Sequence, residues 1–252
     1  MEQPRVLVGS SVADIKRYCL GNYIEGLRKL TYKNFDIIMV DNSKTDEYAK
    51  EIAKLGFNVI KTPQREQVGE SVVEGMNILR DLAIKEYDYF LSLHQDVVSP
   101  PDVIEKLLEV KKDIVTGIVP HALVKEDGIA KNIALIGQED PNNPGKYKYF
   151  NIESVLKHRE GVIKVDFCAT NCLMLSKDVL KKIKFRVEIE DRKSHDPSMT
   201  TWDDVCFCRD AKKKGLEIWA NLAVRCQHLF YGGYCVTLGD TRGKFVKEEN
   251  KT

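Results

Sequence analysis

The sequence is poor in the features that would place it at once. Across 252 residues, 39 Lys and Arg face 38 Asp and Glu, leaving a formal net charge of +1. That balance gives no electrostatic reason to expect nucleic acid as a partner. Long apolar runs are missing too. The longest fall far short of the roughly 18–20 residues that span a bilayer, so no transmembrane segment is expected. Met1 to Ser11 holds an apolar core of only Val6-Leu7-Val8 with no basic region ahead of a long apolar stretch, and does not read as a secretory signal. Seven cysteines (Cys19, Cys168, Cys172, Cys206, Cys208, Cys226 and Cys235) are an odd number in a chain without an export signal. Reduced thiols and a cytoplasmic location are the expectation, with peripheral membrane contact left open. No internal repeat is present. No G-x-G-x-x-G follows the first β-rich run and no G-x-x-x-x-G-K-[ST] occurs anywhere, which removes the main support for dinucleotide and P-loop readings.

What is present is an ordinary globular composition, 43% hydrophobic, and a length of about 1.7 domains at roughly 150 residues each. The first hundred residues alternate β-rich runs with helical patterns, the mark of an α/β fold with a mostly parallel central sheet flanked by helices. Strands are expected at Arg5–Val8, Phe35–Val40, Asn58–Lys61, Tyr89–Leu93 and Asp113–Ile118. Val68, Val72, Met76, Leu79 and Ala83 recur at helical spacing and predict one stripe against the sheet. Ser99 as N-cap, Pro100 at the first helical position and Asp102 at the third predict a helix running to about Val110. His121 to Gly161 is poorly periodic, contains the turn-rich Asp140-Pro141-Asn142-Asn143-Pro144-Gly145, and reads as a surface excursion. Strands return at Val162–Phe167 and Cys172–Leu175, then a helix capped by Ser176. A second irregular stretch, 188–200, precedes a helix from Trp202 to Lys214 closed by Gly215. Short strands at Ile218–Ala220 and Ala223–Cys226 follow, and residues 241–252 form a polar tail.

In an open α/β sheet, ligands bind beyond the carboxyl ends of the strands where strand order reverses. Ser10 and Ser11 follow the first strand, Asp41-Asn42-Ser43 the second, Gln64-Arg65 the third and His94-Gln95-Asp96 the fourth. All four sets are expected on one edge.

These residues carry a resemblance. Val6 to Ser11, then Ile37-Ile38-Met39-Val40-Asp41-Asn42-Ser43, then Leu91-Ser92-Leu93-His94-Gln95-Asp96-Val97 with Pro100-Pro101, resemble the nucleotide-binding half of GT-A fold glycosyltransferases of the family 2 kind. Phe167-Cys168-Ala169-Thr170-Asn171-Cys172-Leu173-Met174 is similar to that family's acceptor-side strand. Trp202-Asp203-Asp204-Val205-Cys206-Phe207-Cys208-Arg209 resembles its acidic helix, and Val224-Arg225-Cys226-Gln227-His228 its late histidine. The resemblance runs from about residue 5 to 230. It implies a single GT-A domain over 1–240, with a Rossmann-like nucleotide-sugar half (1–100) and an acceptor half (101–240).

The same resemblance implies roles. Asp41 would accept the imide N–H of a uracil-like base, although Asp-Asn-Ser is also good turn chemistry. Ser10, Arg65, Gln95 and Asp96 would join it in binding the donor, Arg65 by forking onto phosphate oxygens; a surface Arg is the competing reading. Asp96 matches the second acid of the family's Asp-x-Asp motif and would hold a divalent cation, Mn²⁺ or Mg²⁺, against the diphosphate. His94 stands where the first acid is expected, as a ligand, a phosphate donor or a wall of the site. His228 would complete the metal shell or serve as a structural histidine. Asp204 would be the general base, with Asp203 and Trp202 on the acceptor side. Thr201 followed by Asp204 is also a capping pattern, and acids suit helix N-termini. The run Lys125–Lys131 and Lys212-Lys213-Lys214 read as solvated faces. A zinc site through Cys168-x-x-x-Cys172 and Cys206-x-Cys208 is disfavoured, since helical positions two apart point roughly 200° apart.

The function so implied is metal-dependent, inverting transfer from a nucleoside-diphosphate sugar, UDP-linked by preference over dTDP or GDP, to the hydroxyl of a glycan, lipid-linked or small-molecule acceptor. A catalytically silent nucleotide-sugar-binding or partner-binding module is the alternative that His94 favours. A nucleotidyltransferase ranks last, for want of a Gly- and Arg-rich loop after the first strand.

Overall fold

The computed structural model describes residues 3–124, 130–158, 160–190, 200–230, 234–236 and 246–247. The chain opens with β1 (Val6–Val12), a 3₁₀ segment (Asp14–Cys19) and α1 (Leu20–Arg28), then β2 (Phe35–Asp41), α2 (Glu47–Lys54), β3 (Asn58–Lys61) and α3 (Val68–Glu86). β4 (Tyr89–Leu93), the two-residue β5 (Val97–Val98), α4 (Val103–Glu109) and β6 (Ile114–Ile118) follow. Next come β7 (Pro120–Val124), β8 (Ala130–Glu139), β9 (Tyr147–Asn151), α5 (Ile152–Lys157), β10 (Val162–Val165), β11 (Phe167–Cys168), β12 (Cys172–Ser176) and α6 (Lys177–Lys182). The last elements are β13 (Glu188–Ile189), β14 (Thr200–Thr201), α7 (Asp203–Lys213), β15 (Ile218–Arg225), β16 (Gln227–Phe230), β17 (Tyr234–Val236) and β18 (Val246–Lys247).

Eight strands form the central sheet in the order β10-β15-β6-β12-β4-β1-β2-β3. β1 runs parallel to β2 and β4, β2 to β3, and β6 to β15, while β12 lies antiparallel between β4 and β6. This is the mainly parallel, helix-flanked α/β architecture expected from the sequence. The chain moves outward through β1, β2 and β3, then returns to place β4 on the other side of β1. Strand order therefore reverses between β1 and β4, which fixes where a ligand crevice opens.

Alternation along the strands fills both faces. Leu7, Val40, Phe90, Leu173 and Leu175 enter one core with Met76, Leu79 and Ala83 of α3. Val6, Val8, Met39, Leu91 and Met174 enter the other with Tyr23, Ile24 and Leu27 of α1. Each such Leu, Ile or Phe removed fully from water contributes about 1.5–3 kcal/mol.

Several boundaries differ from expectation for physical reasons. β1 extends through Ser10 and Ser11, because β2 continues to hydrogen-bond alongside it up to Val12. Val68 does not join the α3 stripe; it opens the helix at 67% exposure. α4 begins at Val103 with Asp102 as N-cap, since Pro100 and Pro101 are taken up by a turn closed by Val103 N–H on the Pro100 carbonyl. The presumed excursion 121–161 is largely ordered: β8 pairs with β7, β9 and β11 in a second, antiparallel sheet. Its strand signal is hidden because β8 buries the consecutive Ile133 and Ala134 and then Ile136 and Gly137, which breaks the two-residue alternation of a one-sided strand. Residues 140–145 do form the turn between β8 and β9. β15 is one strand with an irregularity between Ala220 and Arg225. Ser176 caps α6 by accepting from Val179 N–H, and Gly215 takes positive φ just past α7, both as expected. The 125–129 part of the mixed-charge run, residues 191–199 of the second irregular stretch and most of the tail lie outside the described residues. No helix among the described residues is long and apolar enough to cross a membrane.

Candidate active site

The crevice between β1 and β4 is closed at its base by backbone-directed bonds. The Gln95 side chain accepts from Ala13 N–H at 3.0 Å and donates to the Lys16 carbonyl at 3.0 Å and to the Tyr48 hydroxyl. Gln95 therefore stitches the loops after β1 and β4 together, with both ends of its amide on protein. Ser10 is fully buried with its hydroxyl on the Ser11 carbonyl at 3.1 Å. The loops after β1 and β2 are joined in the same way, by Asp14 N–H on Ser43 Oγ at 2.8 Å and Asn42 Nδ2 on Ser11 Oγ at 2.8 Å.

Asp41 ends β2 with no exposed surface. Its Oδ1 accepts Ser43 N–H at 2.9 Å and the Ser43 hydroxyl at 2.5 Å, so the turn chemistry is real. Its Oδ2 has no hydrogen-bond partner and lies 3.7 Å from the Lys61 ammonium. Arg65 sits at the start of α3 with its guanidinium forked onto Glu74, at 2.7 and 2.6 Å. That pair lies on the surface, and the fork is filled by a carboxylate of the protein itself.

Asp96 is the electrostatic centre. Antiparallel pairing of β16 with β5 sets His228 opposite Val97, and Leu229 N–H bonds the Asp96 carbonyl at 2.8 Å. Asp96 Oδ2 thereby meets two groups: Lys16 Nζ at 2.7 Å and His228 Nε2 at 3.5 Å. Burial alone would raise the Asp96 pKa, but His228, Lys16 and His94 together hold it well below the usual carboxylate range. His228 Nδ1 must carry the proton it donates to the Pro120 carbonyl at 3.0 Å. Nε2 then points at the carboxylate either as a second N–H or as a lone pair seeking a cation. His121 packs at a tilt nearby, 5.6 Å from the His228 ring, and burial pushes its pKa down to about 4. His94 bonds through its backbone to Asn171, while its Nε2 is enclosed without a partner. Burial lowers its pKa, against the opposing pull of Asp203 and Asp96. His94 thus lies in the fields of both acid groups.

On the acceptor side, α7 begins at Asp203 with Trp202 as N-cap and no side-chain cap bond. The Thr201 capping pattern is not realised, because Thr201 is held in β14 opposite Glu188. Asp203 accepts the Thr170 hydroxyl at 2.7 Å, which ties the helix to the turn before β12. Asp204 accepts Val205 N–H at 2.7 Å. Burial, then the Asp203 charge, push its pKa up to about 7. Tyr149 feels the Asp204 charge and sits edge-on to Phe167 at 5.2 Å. Trp202 is 37% exposed and borders Gly69 of α3.

The edge rule therefore gathers Asp41, His94 and Asp96 with His228, Asp203 and Asp204, while Arg65 and Gln95 are engaged elsewhere. Sequence reasoning missed Lys16, His121 and Tyr149. The first two follow β1 and β6, so extending the same rule past the first strand's serines and to the fifth strand finds them. Tyr149 reaches the site on the second sheet, which no local pattern announces. A cavity of about 810 Å³ at the opposite, amino-terminal edge is lined by Arg5, Asp88 and Asp113, away from the carboxylates of the candidate site. Cys206 turns to the Thr201 carbonyl and Cys208 to the Cys168 backbone, so the two thiols do not face a common point.

A mainly parallel sheet with carboxylates gathered at its switch point is the framework of a GT-A glycosyltransferase. The chain belongs to that class through glycosyl transferase family 2, whose family model matches residues 18–184. Among solved structures, GalNAc-T7 in complex with UDP, GalNAc and Mn²⁺ superposes with a TM-score of 0.60 at 13% identity, covering 90% of this chain and 44% of that one. The chain thus matches less than half of the GalNAc-T7 chain. A197 from STIV aligns over 93% of this chain and 91% of its own, at 14% identity and a TM-score of 0.47. No curated protein sequence matches the chain.

Proposed function

We propose that this glycosyltransferase transfers a sugar, with inversion, from a UDP-sugar to an acceptor hydroxyl in a divalent-cation-dependent reaction, residues 1–240 acting as one unit. The observation that carries the reading is the Asp96–His228 pair facing the β1/β4 crevice, across from Asp204 on α7. A cation fits the donor set. Asp96 offers a carboxylate oxygen, and the Nδ1–H bond to Pro120 leaves His228 Nε2 free to ligate. Among the described residues no three His, Cys, Asp or Glu side chains converge on one point. The protein would then supply two ligands and the diphosphate the rest, as suits Mn²⁺ or Mg²⁺. Such a cation would stabilise charge on the departing diphosphate. That the GT-A neighbour GalNAc-T7 was solved with UDP and Mn²⁺ supports this choice.

The residues of the chain divide the remaining work. Asp41 Oδ2, buried and without a hydrogen-bond partner, suits the imide N–H of uracil. Ser10, fully buried, would back the β1 side of the crevice, and Gln95 holds its loops in place. Arg65 reaches phosphate only by leaving Glu74. His94, between the two acid groups, walls the space over the diphosphate. Asp204, with its pKa near 7, accepts the proton of the acceptor hydroxyl as that oxygen attacks the anomeric carbon and the bond to diphosphate breaks. Asp203, fixed by Thr170, orients the helix end, and Trp202 offers an exposed aromatic face to a glycan, lipid-linked or small-molecule acceptor. Peripheral membrane contact belongs with the lipid-linked choice. His94 in the place of the family's first acid favours one rival, a silent donor-binding module. Release of free UDP from UDP-sugar by wild type, and its loss in Asp204→Asn, separates the two; equal release by both would overturn the base assignment.

A further inference from the structure

We infer that Lys16 is a cation built into the donor site, which neutralises Asp96 in the unloaded protein and turns to the diphosphate when a divalent cation takes Asp96. The inference rests on the donor-site reading above and adds a donor-binding residue to it. Lys16 reaches Asp96 Oδ2 at 2.7 Å from the 3₁₀ segment that follows β1, so its anchor lies on the same edge as the phosphates would. Its backbone leaves helical geometry at φ −101°, ψ 20°, and its carbonyl is held by Gln95. The root of the side chain is thereby fixed, while the side chain is 40% exposed and its four-carbon stem is free to swing. One oxygen serves both partners of Asp96. An ammonium at 2.7 Å from Oδ2 stands where a metal bound to that oxygen must go, and two cations there repel. Metal binding therefore releases Lys16 within a side chain's reach of any diphosphate the metal holds. His94 makes this arrangement useful. With one acid fewer at the edge, the site pulls less strongly on a divalent cation, and a resident lysine supplies positive charge for an anionic donor.

Calorimetry on the full chain tests the exchange, with wild type, Lys16→Met and Lys16→Arg each titrated with Mn²⁺ alone, with UDP in EDTA, and with UDP plus Mn²⁺. Lys16→Met is expected to bind Mn²⁺ about tenfold more tightly than wild type, because the competitor is gone, and to bind UDP in EDTA about tenfold more weakly. Lys16→Arg, which keeps the charge, retains UDP binding in EDTA and confirms that the fold survives substitution here. If Lys16 only props Asp96 in place, Lys16→Met instead weakens Mn²⁺ binding. That result, unchanged Mn²⁺ affinity, or unchanged UDP affinity in EDTA overturns the inference. Wild type binding neither Mn²⁺ nor UDP under any condition is a different failure, that of the donor-site reading itself.

Discussion

Asp96 and Asp204 behave oppositely because of what surrounds them. Asp96 is buried but faces an ammonium and an imidazole, which hold its pKa low; Asp204 is half-buried beside Asp203, and burial and that charge push its pKa up to about 7. A base must be ionised to accept a proton, so kcat/KM should climb with pH and level off above about 7, in a pH–rate profile measured between 5 and 9. Asp204→Asn should reduce turnover by about 10²–10⁴-fold. The same residue makes a stability prediction. Its carboxyl holds a proton more tightly in the folded chain than at the ordinary value of 3.8, so its contribution falls as pH rises from about 4 through about 7. Asp204→Asn removes that loss and should unfold at higher denaturant than wild type at pH 8, by about 1–4 kcal/mol, with little difference at pH 4. At this scale the sequence placed Asp41 and Asp96 at the carboxyl ends of strands, where the structure has them. It was silent on partners far along the chain: nothing near Arg65 announces that Glu74 fills its guanidinium, and nothing near Asp96 announces Lys16.

The elements explain why distant residues meet. Pairing of β16 with β5 carries His228 to Asp96, and the Thr170–Asp203 bond carries the start of α7 to the turn before β12. The parallel strands of the first hundred residues and α3 were legible because their apolar periods largely match their burial, whereas α1 and α2 were not placed. The β7–β8–β9 sheet was not legible either, since the buried run of β8 at Ile133, Ala134 and Ile136 shows no two-residue alternation. Gly137 shows how closely that sheet is built: a Cβ there would meet the Lys148 carbonyl oxygen at 2.6 Å, a backbone atom with little room to yield. Gly137→Ala should cost about 1–3 kcal/mol in chemical denaturation. Because β9 also carries Tyr149, the same variant should raise the acceptor KM more than the donor KM.

At the scale of the molecule, the near-zero net charge conceals a local excess of acid. Asp41, Asp96, Asp203 and Asp204 gather on one edge, and a diphosphate can settle there only with positive charge beside it. Lys16 and Lys61 provide some, and the proposed cation provides the rest. A ligand that binds only the folded chain raises its stability, so UDP with Mn²⁺ should raise the melting temperature by several degrees, and EDTA should remove most of that rise. The class of fold, a mainly parallel sheet flanked by helices, was announced by the alternating sequence pattern; the strand order was not. Segment 119–160, proposed to shape the acceptor pocket, is where sequence pattern and described structure diverge most. The central claim is Mn²⁺-dependent transfer with Asp204 as base. Its most direct test measures free nucleoside diphosphate released from a panel of UDP-, dTDP- and GDP-sugars by wild type, Asp96→Asn and Asp204→Asn, with Mn²⁺ or EDTA. Release by wild type from a UDP-sugar that needs Mn²⁺ and both aspartates is the expected result. Release that persists undiminished in either variant, or in EDTA, would contradict the account.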